Sequence, residues 1–271
     1  MNNENQAAAR APAGNTQITR LSVAPRKRVF LSARWQALAM VNFAIDPGLL
    51  EPLVPRGTTL DFFGGVAYVS VVGFLFRSTR LLGLTVPWHV SFEEVNLRFY
   101  VQRTVGHEVR RGVCFVRELV PRWSIATVAR WCYNEPYQAL PMRSAVDLAA
   151  IEAASPVAQN HAVEYGWKTL GAWNGFRVTT QGSRQAMRPG SLEEFIAEHY
   201  WGYCSQRDGG TVEYEVEHPP WNVWQATAEP WLGDVPAFYG EPWASALRQA
   251  PSSVFLADGS AVKVFRPTRI A

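Results

Sequence analysis

The chain has 271 residues, 48% of them hydrophobic and 13% aromatic, with only 18% charged and a formal net charge of +3. That is enough apolar material for a large core, in one big domain or two small ones, and it marks a globular protein. A net charge this small, with no Lys/Arg block interleaved with aromatics, argues against nucleic acid as a partner.

The opening, "MNNENQAAARAPAGNTQITRLSVAPRKR", has no apolar run like a signal-peptide core, so residues 1–28 read as a disordered tail. The longest apolar stretch, Gly64 to Phe76, is too short to span a bilayer, so no membrane association is expected. Cys114, Cys132 and Cys204 are odd in number, widely spaced and set among apolar or aromatic residues. A disulfide framework or zinc site does not fit that pattern, and a reducing cytosol does.

"RWQALAMVNFAI" (Arg34 to Ile45) fits strand or helix by period alone. In "DPGLLEPLVPRG", Asp46 and Pro47 resemble an N-cap and first-turn residue, and Pro55 and Gly57 stop the helix after about two turns. "TTLDFFGGVAYVSVVGFLF" reads as a hairpin turning near Gly64-Gly65, with a second arm apolar on both faces and therefore central in a sheet. "FEEVNLRFYV" (Phe92 to Val101) alternates strictly, with Val95, Leu97, Phe99 and Val101 on one side and Glu94, Asn96, Arg98 and Tyr100 on the other. "RRGVCFVRELVPR" is another interior strand, ended by Pro121. "HAVEYGWKT" and "GFRVTTQG" form a second hairpin turning at Gly171 to Asn174. "SLEEFIAEHYWGY" is the clearest helix, Ser191 to Tyr203: Ser191 and Glu194 match a capping box, and Leu192, Phe195, His199 and Tyr203 share a stripe. In "TVEYEVEHPPW", Glu213, Glu215 and Glu217 should face water while Val212, Tyr214, Val216 and His218 face inward. These elements predict an α+β fold dominated by antiparallel strands, as one domain over residues 29–271.

Several polar residues break apolar patterns. The Glu94, Asn96, Arg98, Tyr100 row is either the solvated face of an antiparallel sheet or the wall of a site. Arg117 alternates with Val113 and Phe115, and Glu118 with Cys114 and Val116, so one of them enters a core or cavity and needs a partner there. Glu135 and Tyr137, with Asn134, flank Pro136, where a turn held by its own side chains is the simplest reading. His199 lies in the helix stripe and His218 at the end of an inward strand face. They have no HExxH or comparable spacing, so no metal is expected, and no Gly-rich phosphate loop occurs. Of 26 basic residues only Lys27, Lys168 and Lys263 are lysines. Lys27 lies in the tail, Lys168 shares a strand face with Glu164 away from Val163, Tyr165 and Trp167, and Lys263 is open between Val262 and Val264.

"DPGLLEPLVPRGTTLD", "AYVSVVGFLF", "FEEVNLRFYV", "FVRELVP", "YNEPY" and "HYWGY" followed by "HPPW" resemble, in order, motifs of the YqjF-like family (DUF2071). The resemblance runs from about Phe30 to Phe265 and extends, more distantly, to the acetoacetate decarboxylase-like superfamily. It implies a mostly antiparallel sheet curved into a cone or barrel around a small-molecule cavity. Acetoacetate decarboxylase works through a Schiff-base lysine activated by desolvation and a neighbouring cation, an example the chemistry of activated amines already supplies. Aligned on "YNEPYQALPMR" that lysine's position holds Met142, and aligned on "FVRELVPRWS" it holds Ser124; neither forms an imine. The resemblance turns Glu94 into the cavity as the candidate catalytic group, beside Asn96, Arg98, Arg117 or Glu118, Glu135, Tyr137, His199 and His218 as ligand contacts. Arg98 could take a carboxylate through two parallel hydrogen bonds. The function expected is binding of a small carboxylate or carbonyl compound without a cofactor, with a homo-oligomer left open. The alternative is a lyase- or hydratase-type enzyme using Glu/His acid-base chemistry.

Overall fold

Long strands of β-branched and aromatic residues dominate the computed structural model, which describes residues 27–85, 90–124, 126–127, 134–153 and 160–270. In chain order come β1 (Val29–Ile45), β2 (Thr59–Leu60), β3 (Ala67–Leu81), β4 (Leu84–Thr85), β5 (Phe92–Val105), β6 (Glu108–Val120), β7 (Tyr137–Ala139) and β8 (Met142–Val146). Then follow α1 (Leu148–Ala153), β9 (Ala162–Thr169), β10 (Ala172–Ala186), α2 (Leu192–Ala197), β11 (Trp201–Ser205), β12 (Thr211–Glu217) and β13 (Asn222–Ala228). The chain finishes with α3 (Val235–Tyr239), α4 (Trp243–Leu247), β14 (Ser253–Phe265) and β15 (Thr268–Arg269). The tail expected over 1–28 lies outside the described residues except for Lys27 and Arg28, and Cys132 lies outside them too.

All fifteen strands belong to one sheet. The order β12-β11-β6-β5-β3-β1-β14 returns to its start, because β12 also pairs with β14 through Val216 with Val264 and Glu217 with Lys263. A second arm, β13-β10-β9-β8, continues from β14. The result is an irregular ring with an extension, not a clean barrel: its seam is two residue pairs long, and β11 joins β6 in parallel while most other ladders are antiparallel. Strand periodicity then sorts side chains into two cores. One holds Ala39, Val41, Val71, Val95, Leu97, Tyr165, Trp167 and Phe176 between the ring and the second arm. The other holds Met40, Val72, Phe74, Tyr100, Phe195, Trp221 and Phe255 on the opposite face, beneath α2.

Several local expectations change. Arg34 to Ile45 is strand, and Asp46 caps a 3-10 turn (Pro47–Leu49) followed by a second (Glu51–Leu53) rather than a two-turn helix, because Pro52 interrupts the hydrogen bonding. The Gly64-Gly65 turn closes only a Phe63–Val66 bridge, and β2 pairs with β5 instead of β3. Ser191 does cap its helix, its Oγ accepting from the Glu194 N–H at 3.2 Å while Glu194 accepts from Gly190 N–H at 2.6 Å. The helix ends at Ala197, however, and "WGYCS" is β11. In β12 Glu213 is buried, not solvated, because Arg103 and Arg110 each reach it at 2.8 Å.

Candidate functional site

Glu94, Asn96, Arg98 and Tyr100 share the face of β5 that carries the second core. Their neighbours across β3 are Phe74 opposite Glu94, Val72 opposite Asn96 and Ser70 opposite Arg98. Across β6, Glu118 stands opposite Asn96 and Phe115 opposite Arg98. The row is not a solvated sheet face: Glu94 is 3% exposed, Asn96 2% and Glu118 1%. Asn96 Nδ2 donates to Glu94 Oε1 at 3.1 Å, and the Tyr137 hydroxyl donates to Glu94 Oε2 at 3.2 Å. Glu135, also buried, accepts from the Tyr214 hydroxyl. Asn96 Oδ1 and Glu118 Oε2 have no donor.

A bulge in β6 decides which charge joins this cluster. Leu97 pairs with Arg117 but Arg98 pairs with Phe115, so Val116 is an extra residue. Strict alternation put Arg117 with Phe115 and Glu118 with Val116. The inserted residue inverts that: Glu118 sits on the face of Phe115, and Arg117 leaves by the other. Arg117 Nη1 donates to the Phe238 carbonyl at 3.0 Å, its guanidinium lies 4.8 Å from the Phe238 ring, and it anchors α3 away from the acids. The expectation of Arg117 beside the other candidates is therefore corrected.

Three carboxyls in one water-excluded patch affect each other's protonation. Burial pushes Glu94 up to about 7, although the Asn96 and Tyr137 hydrogen bonds and the Arg98 charge favour its anion. Burial pushes Glu135 up to about 8 against the Tyr214 bond, and the charge of Glu94 adds to the rise. Burial, then Glu135 and Glu94, hold Glu118 well above the carboxylate range despite a bond with Tyr137. These groups are acids that keep protons near neutrality, the condition under which a carboxyl can donate.

Arg98 borders the cluster. Its Nη2 donates to the Ile196 carbonyl at 3.2 Å and its Nε to the Tyr100 hydroxyl at 3.4 Å. Tyr100 continues to Ser70 (2.6 Å), Ser70 to Asn42 Oδ1 (2.6 Å), and Asn42 to Ser253 Oγ (2.9 Å). Among the described residues no carboxylate pairs with Arg98, although it is only half-exposed.

His199 and His218 belong to separate neighbourhoods of the same core. His199 Nε2 lies 3.1 Å from Asp61 Oδ2, which Arg111 Nε also reaches at 2.7 Å. Burial, with Arg111 and Arg98 nearby, lowers His199 to about 4 in spite of Asp61, so it is neutral; Nε2–H donates to Asp61 and Nδ1 is buried without a donor. Asp61 resists its own burial because His199 and Arg111 hold the anion. The His218 ring stacks on Trp221, centroids 4.2 Å apart and planes at 11°, with Nδ1 3.0 Å from the Pro219 carbonyl.

None of the three lysines enters this face. Lys27 pairs with Glu215, Lys263 with Glu217 at 2.7 Å, and Lys168 is exposed on β9. Met142 packs into the other core, across the sheet from Glu94. Among the described residues no three His, Cys, Asp or Glu side chains converge to hold a metal ion, the glutamates included. A cleft of about 370 Å³ beside Asp147, Asn160 and His161 belongs to the opposite face, where Ile151 joins the first core. Sequence reasoning missed Asp61, Arg111 and Tyr214 as parts of the polar network. Asp61, a lone acid in "TTLDFF", was the available signal, since a charge inside an apolar run needs partners.

The fold is acetoacetate decarboxylase-like. Acetoacetate decarboxylase of Legionella pneumophila subsp. pneumophila str. Philadelphia 1 superposes with a TM-score of 0.59 at 12% identity, covering 98% of each chain. The enduracididine biosynthesis enzyme MppR, complexed with pyruvate, gives 0.58 at 13% identity over 97% of this chain and 99% of that one. Identities this low speak for the fold alone. The chain belongs to the DUF2071 family, described as an uncharacterized conserved protein (COG2071), whose model matches residues 32–261. YqjF of Bacillus subtilis (strain 168) is 24% identical over 196 residues, 72% of this chain and 75% of that protein.

Proposed function

We propose that the buried face of β5 binds a small molecule bearing a carboxylate or carbonyl group. The observation that carries this reading is Arg98, a half-buried guanidinium with no carboxylate partner among the described residues, beside carboxyls that keep their protons. A guanidinium grips a carboxylate with two parallel hydrogen bonds, and a protonated Glu94 or Glu118 donates to a carbonyl oxygen. Pyruvate, the molecule named with MppR, has both groups and is a suitable probe.

Glu94 titrating near neutrality also supports acid-base chemistry on the bound carbonyl, as in a lyase or hydratase. Binding comes first. Thermal-shift titration with pyruvate and short carboxylates should raise the wild-type melting temperature, by the equivalent of about 2.7 kcal/mol at a hundredfold excess over Kd. Arg98→Met should remove the shift and Arg98→Lys should keep part of it. No shift with any compound, or an equal shift in Arg98→Met, would reject the proposal.

A further inference from the structure

Where the second arm stops, the outer face of the ring changes character. Gln36 and Leu75 are register partners on that face and are covered: Gln36 is buried and donates to Glu152 of α1, and Leu75 packs against the first core. The next pair on the same face is Arg34 with Arg77, and both are exposed. Between it and the following pair, Ser32 with Arg80, β3 has one residue more than β1. Ser78, at a φ of 51°, is the extra residue, and this bulge turns Arg80 to the face of Arg34 and Arg77. Like charges directly opposite in a ladder repel, and among the described residues none of the three arginines has a carboxylate partner. Lys263, opposite Ser32 on β14, already takes Glu217.

The ladder ends in an apolar tip. Leu82 and Gly83 form the two-residue turn from β3 to β4, at φ values of 51° and 82°, a left-handed pair that favours Asn-Gly and that a leucine adopts only at a cost. Leu82 is nonetheless 51% exposed there, and Leu84 is 73% exposed. The Leu82 N–H donates to the Phe30 carbonyl at 2.8 Å, which ties the tip to β1 beside the arginines. We infer that this end of β1 and β3 docks on an anionic membrane surface, the three guanidiniums holding lipid phosphates or carboxylates while Leu82 and Leu84 enter the boundary between headgroups and acyl chains. A bilayer supplies both halves at once, negative charge spread in a plane and an apolar layer directly behind it. An acidic protein would match the arginines and leave two leucines beside a strained turn without a counterpart. The contact is with one leaflet, needs no spanning segment and is separate from the ligand face of β5.

The test is co-sedimentation of the full chain with vesicles of phosphatidylcholine alone or with a third of phosphatidylserine, at low and at high salt. The mixed vesicles should bind at least tenfold more tightly than phosphatidylcholine, and high salt should remove the difference. Arg34→Gln, Arg77→Gln and Arg80→Gln together should cut that binding at least tenfold. Leu82→Asn supplies the residue the turn prefers, so combined with Leu84→Ser it should keep the melting temperature while weakening vesicle binding several-fold. No preference for the mixed vesicles, or unchanged binding in the triple arginine variant, overturns the inference. Binding that survives both leucine substitutions and is matched by soluble polyglutamate marks a surface for acidic protein instead, and overturns it equally.

Discussion

The Cα of Gly202 on β11 lies against the phenol ring of Tyr214, its register partner on β12, so closely that a Cβ at 202 would overlap the ring. Tyr214 is the donor to Glu135, so this glycine controls how the acid cluster is supplied with hydrogen bonds. Gly202→Ala should destabilise the fold by about 1–3 kcal/mol through overpacking. In a Tyr214→Ala background the same change should cost much less, because the overlapping ring is gone. Urea denaturation of the four proteins measures the coupling, and additive effects would show that the contact does not govern the site.

Protonation of Glu94 makes stability depend on pH in a stated direction. Its carboxyl titrates at about 7 when folded against an ordinary 4.5. The folded state therefore holds a proton that the unfolded chain has lost, and stability falls as pH rises from about 4.5 to about 7. The difference amounts to roughly 3 kcal/mol, at 1.36 kcal/mol for each pH unit. Glu94→Gln should consequently be more stable than the wild type at pH 8 and nearly equal to it at pH 5. Melting curves at the two pH values decide this, and a variant less stable at pH 8 would mean that Glu94 is ionised and paired.

Chemistry through an imine is not expected. Lys27 and Lys263 are engaged with surface glutamates and Lys168 lies exposed on β9, so none has the desolvated setting that activates an amine nucleophile. Incubation with acetoacetate or pyruvate and borohydride should leave the intact mass unchanged. A stoichiometric adduct on any one lysine would show an activated amine.

Much of the fold was legible in β3, β5 and β6, because a two-residue period and β-branched content are properties of the strand itself, whereas β1 fitted strand or helix equally. What failed was set by other strands. Glu213 looked solvated until Arg103 and Arg110 arrived from β5 and β6 to bury it. His199 looked helical because its apolar spacing continued past Ala197, where the chain instead pairs with β6 and β12. At Glu94, alternation left two readings open and the family resemblance favoured the interior one, where the side chain is found buried. The choice between Arg117 and Glu118 was hidden for a different reason: an inserted residue leaves no mark in composition or hydropathy.

That bulge at Val116 has a genetic consequence. Deleting the Val116 codon would restore strict pleating and leave Arg117 opposite Leu97 and Glu118 opposite Asn96, because the ladder already resumes its register on both sides of the extra residue. Moving the bulge beyond Arg117 while keeping Val116 would instead set Arg117 opposite Asn96 and carry a guanidinium among the acids. A three-nucleotide gap at that point would therefore preserve the acid face, and the position of the extra residue, not chain length, decides which charge that face carries.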